Sequence, residues 1–267
     1  MARDEVGRLA ITCQPMFRPG QSAGGPVKGY AEEMEAGADT GRHRHPRAQL
    51  VLSLAGTLAC ATADGTWIVP PDRAVWIPAG RRHRLTAPVA VSIRVLYLRP
   101  EAWDGGPRCR VLRLNPLLRA LVLRFCEPPR RASAGRGAAE RRLAVLRDEL
   151  AEAPEAPLGL LPGSDQRLRR VTDALATDPA DGRSLAAWAR RAGASERTLA
   201  RLFQAETGLS FAAWRRRARL VRALTLLAAG ETVTSVALTL GYAGPSAFIQ
   251  AFRRAFGETP GRAATAG

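Results

Sequence analysis

Lysine is nearly missing from this chain of 267 residues: Lys28 stands alone, and the other 39 of the 40 basic residues are arginine. With the heavy use of alanine, that bias carries the mark of GC-rich codon usage, so the position of each charge matters more than the total. Cysteine is scarce as well. Cys13, Cys60, Cys109 and Cys126 are widely spaced and form no CxxC pair, which excludes a zinc knuckle or disulfide frame and favours reduced, partly buried thiols. No apolar run approaches the ~18 residues that span a bilayer. The N-terminal MARDEVGRLAITC mixes charges where an export signal needs an apolar stretch. A cytoplasmic protein with no membrane partner is therefore expected. Histidine occurs only three times, with no further acid/base constellation beside it, so no catalytic residue is assigned.

What is present is positive charge, a formal net +16 with a pI near 11.4, a balance that favours a polyanionic partner. Half of the surplus lies between Ser184 and Gly257, where 11 Arg stand against 3 Glu in 74 residues. The same stretch repeats a helix-turn-helix pattern. LAAWARRAGASERTLARLF runs from Leu185 to Phe203, and TSVALTLGYAGPSAFIQAF from Thr234 to Phe252. Ala189 and Gly193 recur 48 residues later as Ala237 and Gly241; Leu199, Phe203 and Gly208 recur 49 residues later as Phe248, Phe252 and Gly257. In such a unit the small Ala lets the second helix cross closely, and the Gly takes the tight turn. Two units in one chain point to duplex DNA as the partner.

From about residue 8 to 98, short runs (QLVLSL, TLACAT, TWIVP, AVWIP, VSIRVLYL) alternate with Gly- and Pro-bearing turns, as in an all-β barrel or sandwich. After Pro100 the pattern becomes helical, over Leu114 to Cys126 and Glu140 to Ala151, with EPPRRASAGRGA as a break between them. These helices either pack on the barrel or pair with a second subunit. EAPEAPLGLLPGSD, residues 152–165, reads as an interdomain linker, and everything from Gln166 on is helical until a fraying tail. The expected fold is thus α+β in two domains. Residues 1–151 form a β-barrel plus helices, and residues 166–267 an all-α domain with two helix-turn-helix units joined by a long helix.

Ser195 is a good N-cap for a helix over Glu196 to Glu206, which buries Leu199, Leu202 and Phe203 and leaves Arg197, Ala200, Arg201 and Gln204 outward. In the second unit Ala247, Phe248, Ala251 and Phe252 face in, and Ser246, Ile249, Gln250 and Arg253 face out. Arg pairs bidentately with guanine and Gln with adenine, so Arg197, Arg201 and Gln250 are candidate base contacts. Phe211 to Ala229, 19 residues, reads as one connecting helix. At ~1.5 Å per residue it spans roughly 28 Å, close to the ~34 Å between successive major-groove faces. Arg215, Arg216, Arg217, Arg219 and Arg222 load it with charge, some for phosphate contact.

Residues 165 to 261 resemble the AraC/XylS transcription regulators, through the paired motifs, the connecting helix ending LLAAGETVTSVA, and GYAGPSAFIQAFRRAFGETPGR. The resemblance implies sequence-specific binding near a promoter, with RNA polymerase as a further partner. The positions matching the family's base-contacting residues are Arg197, Ala200, Arg201, Ser246 and Gln250; Ser195, Arg215, Arg216, Arg217 and Arg253 are the expected phosphate contacts. Ala200 and Ile249 can offer only apolar contact, such as to a thymine methyl.

Gly37, His43, His45, Gln49 and Gly56 fit the spacing G-x5-H-x-H-x3-E-x6-G with Gln for Glu, and Pro78, Gly80 and His83 fit P-x-G-x2-H. This resembles a cupin barrel. His43 and His45, two apart, share a face if the segment is a strand, and the turn at 78–80 brings His83 towards them. Two readings stay open. The three imidazoles hold a divalent metal such as Zn²⁺, although Gln49 is a weaker ligand than the carboxylate it replaces. Alternatively, they hydrogen-bond a small-molecule effector or their own scaffold. His43, His45, Gln49, Trp67, Trp76 and His83 are the expected effector pocket, although aromatic strand residues such as Trp67, Trp76 and Tyr97 are more often core. One function is thus a transcription regulator whose barrel senses an effector. The other is a cupin-type metalloenzyme, a dioxygenase or isomerase, with an appended DNA-binding domain.

Overall fold

The computed structural model describes residues 25–127, 136–256 and 259–261. The expected strand start at residue 8, Cys13, most of the break between the two N-terminal helices, Gly257 and the end of the tail lie outside the described residues. The β-rich half contains β1 (Val27–Met34), β2 (Ala38–Asp39), β3 (Ala48–Ala55), β4 (Leu58–Thr62), β5 (Thr66–Val69), β6 (Arg73–Ile77), β7 (His83–Ala87), β8 (Val91–Leu98) and β9 (Arg110–Arg113). Helices α1 (Pro116–Cys126) and α2 (Arg136–Glu152) follow, then β10 (Glu155–Ala156) and β11 (Gly159–Leu160). The strands form two antiparallel sheets, β1-β8-β3-β6-β9-β10 and β11-β5-β4-β7-β2, rather than one continuous barrel. The segment expected to be a bare linker is more than a tether: β10 and β11 each extend the edge of one sheet, β10 beside β9 and β11 beside β5.

Strand periodicity sorts the side chains into two layers. Val51 on β3, Val75 and Ile77 on β6, and Ile93 and Val95 on β8 meet Leu58, Cys60 and Leu85 from the other sheet. The alternate residues, Leu50, Leu52, Ala74, Trp76, Leu96 and Leu98, point the opposite way. They bury Leu118 and Val122 of α1 and Leu146 and Leu150 of α2. Asn115 starts α1, its Oδ1 accepting from Leu118 N at 2.8 Å. The two helices therefore cover the outer face of the six-stranded sheet.

The helical half consists of α3 (Gln166–Thr177), α4 (Leu185–Ala192), α5 (Glu196–Leu202), a π-helical turn at Phe203–Thr207, α6 (Phe211–Ala228), α7 (Val233–Thr239) and α8 (Pro245–Phe256). The repeat is reproduced bond for bond. Gly193 and Gly241 both take φ of +70°, and in each unit the Ala five residues before the turn's last donor accepts that donor: Ala194 N to Ala189 O, and Tyr242 N to Ala237 O. Side-chain caps open α3 to α7: Asp165, Ser184, Ser195, Ser210 and Thr232 accept from Arg167, Ala187, Thr198, Ala213 and Ser235 N respectively. Helix α6 has 18 residues, one fewer than expected. Its first half, Phe211, Trp214 and Ala218, packs with α3, α4 and α5. Its second half, Leu220, Val221, Leu224 and Leu227, packs with α7 and α8.

Polar ties join the halves, among them two made by the side chains of Trp214 and Arg113. Trp214 Nε1 donates to Leu161 O at 2.9 Å, and the Arg113 guanidinium donates to Ala255 O and Phe256 O, each at 3.1 Å. The second tie satisfies carbonyls left over at the C-terminus of α8 and places a cation at the negative end of its dipole. Trp214 is 1% exposed, so its ring and its N–H are separable contributions. Trp214→Phe is expected to lose ~1–3 kcal/mol by leaving Leu161 O unmatched, and Trp214→Ala ~3–5 kcal/mol by opening a cavity. Urea unfolding followed by circular dichroism measures both; a Trp214→Phe variant as stable as the parent would mean that the hydrogen bond contributes nothing.

Candidate functional site

The outward faces of α5 and α8 are accessible. Arg197, Arg201 and Gln204 on the first unit, and Ser246, Gln250 and Arg253 on the second, are exposed; Ala200 and Ile249 are half-buried. Leu199, Leu202, Phe203, Phe248 and Phe252 are buried as their spacing required. Ala247 is a correction: expected to face in, it is exposed, because Phe248 and Phe252 fill the interface by stacking edge-on at 5.7 Å. Ser195 is exposed, but its Oγ already accepts from Thr198 N at 3.1 Å and shares a hydrogen bond with Thr198 Oγ1. It orders the start of α5.

The arginines of α6 divide into distinct roles. Arg216 and Arg222 are exposed. Arg215, expected on phosphate, instead donates to Arg183 O at 2.9 Å and Asp181 O at 3.3 Å, its guanidinium 4.9 Å from the Phe211 ring centroid. Arg219 donates to Pro179 O at 2.8 Å and to Ala180 and Gly241 O, and lies over Tyr242. It thereby clamps the α3–α4 connection to the turn of the second unit. Arg217, also expected on phosphate, is half-buried. It lines a cleft of about 520 Å³ with Trp67, Cys109, Glu155, Gly159 and Glu206. Burial lowers the pKa of Arg217, an effect that the nearby Glu155 charge opposes. Sequence spacing could not separate these fates, because each depends on what lies across from α6.

The cleft separates the β-rich half from the first helix-turn-helix unit. Glu206, on the π-helical turn, accepts from Ser164 N, from Ser164 Oγ at 2.9 Å and from Asp165 N at 3.1 Å. These bonds hold its carboxyl below the usual range. Gly159 lies opposite Trp67 in the β11–β5 pair, and a Cβ there would meet Trp67 Nε1 at 2.8 Å. Trp67 is therefore both a core residue and a wall of the cleft. Trp76 is a correction: its ring points away from the sandwich interior, packs edge-on against Trp103 at 4.6 Å, and donates to Gly106 O at 3.2 Å.

Inside the sandwich, His43, His45 and His83 converge, with candidate ligand atoms all within 4.8 Å of one another. His83 comes from another strand, β7, as expected, but His43 and His45 do not lie on a regular strand: His43 forms an isolated bridge with His83, exchanging both backbone hydrogen bonds at 2.9 and 2.8 Å. Gly80 N donates to His45 O at 2.8 Å, so the turn after Pro78 does bring the third histidine in. His43 Nδ1 donates to Gly41 O at 3.0 Å and His83 Nδ1 to Arg81 O at 2.9 Å. Gln49 is buried on the same sheet face as Val51, beside Tyr97, whose ring lies 5.2 Å from that of His45. Burial, assisted by the neighbouring histidines, lowers the pKa of both His45 and His83 to about 4. Glu32, whose negative charge reaches Tyr97, is pushed up to about 7 by burial, a signal that motif spacing did not reveal.

Comparison with known proteins matches two family models to the chain. A family model described as an AraC-like ligand binding domain matches residues 30–175, and a helix-turn-helix domain model matches residues 188–265. The HTH-type transcriptional regulator NimR of Escherichia coli K12 is 38% identical over 222 residues, covering 82% of this chain and 80% of NimR. The HTH-type transcriptional regulator RipA of Corynebacterium diphtheriae is 30% identical over 208 residues, covering 76% and 58%. ToxT from Vibrio cholerae aligns over 91% of this chain and 99% of its own with a TM-score of 0.40 and 9% identity, too distant to bear on any residue.

The buried ionisable groups set a pH dependence. His45 and His83, at about 4 when folded against 6.5 ordinarily, contribute stability that is whole above pH 6.5 and drains as pH falls towards 4. Glu32 has the opposite sign: its contribution is whole below 4.5 and is lost as pH rises to about 7. Two histidines outweigh one glutamate in the shared window. The melting temperature should rise from pH 5 to pH 6.5, and Glu32→Gln should steepen that rise. A profile that falls over this interval would contradict the burial of the imidazoles.

Proposed function

Since this chain belongs to the AraC family of helix-turn-helix transcription regulators, with an AraC-like ligand-binding domain ahead of its DNA-binding half, we propose that it reads a promoter sequence with α5 and α8 under control of an effector. The observation that carries this reading is the exposure of both outward faces, Arg197 and Arg201 on one and Ser246 and Gln250 on the other, on units that share α6. A rod of 18 residues is ~27 Å long, short of but near the ~34 Å that separates major-groove faces along one side of B-DNA. Arg197 and Arg201 are the guanine-reading residues and Gln250 the adenine-reading one, with Ser246 and Ala200 as minor contacts. Arg216 and Arg253 contact phosphate, since Arg215 and Arg217 are engaged elsewhere.

Residues up to 151 form the sensor, residues 152–165 the hinge, and residues 166–267 the reader. An effector in the β-rich half shifts regulation only by binding the DNA-competent and incompetent arrangements with different affinity. The cleft beside Arg217 gives that difference a route, because it touches both halves at once. The protein works in the cytoplasm, and no described helix is long and apolar enough to cross a membrane. Homodimerisation through the outer surface of α1 and α2, where Leu117 and Val145 are exposed, and contact with RNA polymerase complete the reading. The relatives carry the names of regulators, and nothing in the comparisons favours a cupin-type enzyme.

An operator selected from random DNA supplies the test. Arg201→Ala should weaken binding to it by ~1–3 kcal/mol and relax the base preference at one position. Arg216→Ala should weaken all sequences alike and reduce the salt slope by about 1. Arg217→Ala should leave the salt slope unchanged. If Arg201→Ala and Arg216→Ala both bind like the parent, α5 and α6 are not the reading surface.

A further inference from the structure

All three histidines of the chain converge inside the β-sandwich, where most of the surrounding side chains are apolar. We propose that His43, His45 and His83 form a three-nitrogen binding site for one divalent transition-metal ion of the zinc, cobalt or nickel class. The inference deepens the sensor reading above by giving the detected species a chemistry.

Three observations carry it. The first is convergence: the candidate ligand atoms lie within 4.8 Å of one another. Ligands of a tetrahedral ion bound at ~2.0–2.1 Å stand roughly 3.4 Å apart, so small side-chain adjustments close the gap. The second is tautomer control. A carbonyl oxygen can only accept, so the bonds to Gly41 O and Arg81 O place the protons of His43 and His83 on Nδ1. In the neutral ring Nε2 then carries a bare lone pair. A second-sphere carbonyl on the far nitrogen is the arrangement that orients metal-binding histidines and raises their basicity. The third is the state of those lone pairs: Nε2 of His43 and of His83 is buried and has no hydrogen-bond partner among the described residues. Buried polar atoms are ordinarily matched, so two orphaned acceptors facing a common point require a partner.

The donor set narrows the class. Imidazole nitrogen suits zinc, cobalt, nickel and copper, whereas magnesium and calcium want carboxylate and carbonyl oxygen. The trio contains no carboxylate, and Gln49, the buried polar neighbour beside Tyr97, is neutral. Three protein ligands leave a coordination position for water or for an oxygen or nitrogen donor of an effector. Both scaffold pieces, the His43–His83 bridge and the Gly80–His45 bond, belong to the sandwich itself. Binding an ion there would tighten the sensor while leaving the DNA-reading faces untouched.

The full chain, stripped with chelator and dialysed, is titrated with Zn²⁺ by calorimetry, with Mg²⁺ as control. One Zn²⁺ per chain and no response to Mg²⁺ are expected, and His45→Ala and His83→Ala should each weaken Zn²⁺ binding at least roughly tenfold. Because replacing a buried imidazole can unfold the sandwich, the parent protein is also read directly by ¹⁵N NMR of its imidazoles. With three histidines in the chain, Zn²⁺ should shift the signals of all of them together. No binding by the parent, or binding that leaves the imidazole signals in place, overturns the site. Operator binding by the chelated protein is measured in parallel, so loss of the metal inference and loss of the regulator reading appear in different assays.

Discussion

Helix α6 is a member of two hydrophobic cores at once, and the arrangement of the helical half follows from that. Phe211, Trp214 and Ala218 are committed to the first unit, and Leu220, Val221, Leu224 and Leu227 to the second, within a single 18-residue helix. Turning one unit about this axis would drag buried side chains of the other out of contact, since close-packed interiors do not deform continuously. Arg219 adds a polar brace, gripping the carbonyls of Pro179 and Ala180 on one side and of Gly241 on the other. Two readers of DNA are held in register because their spacer is itself core.

That arrangement explains why so basic a helix is not simply a phosphate-binding strip. An arginine carries five N–H donors, and an α-helix junction offers unmatched carbonyls that need them. Arg215 and Arg219 meet that need inside the fold, Arg113 does so from the β-rich half at the end of α8, and Arg216 and Arg222 remain for solvent or a partner. Charge that composition would assign wholly to DNA is thus divided between recognition and architecture.

The β-rich half makes the complementary choice. Its two sheets bury long rows of Val, Leu and Ile on both faces of the six-stranded layer, one against the second sheet and one beneath α1 and α2. Within that interior, desolvation keeps His45 and His83 neutral and Glu32 largely protonated at moderately acid pH. Polar groups there are retained against a cost. The strands of 155–160 then join sheet edges and lead directly to the cleft at Arg217, so the sensor and the reader are physically continuous.

Much of this was legible in the amino-acid order, because it depends on local spacing. The doubled Ala–Gly signature located both helix-turn-helix turns, the 3.6-residue periodicity picked out Leu199, Phe203, Phe248 and Phe252 as buried, and the motif spacing assembled the three histidines. Tertiary structure alone decided the rest. Which neighbour lies across from a residue set Arg215 and Arg217 apart from Arg216, turned Trp76 to the outer layer and exposed Ala247. It also converted a Pro- and Gly-rich linker into two sheet-edge strands. Periodicity specifies the face on which a side chain stands; what it meets there depends on contacts between residues far apart in the chain, which no local pattern encodes.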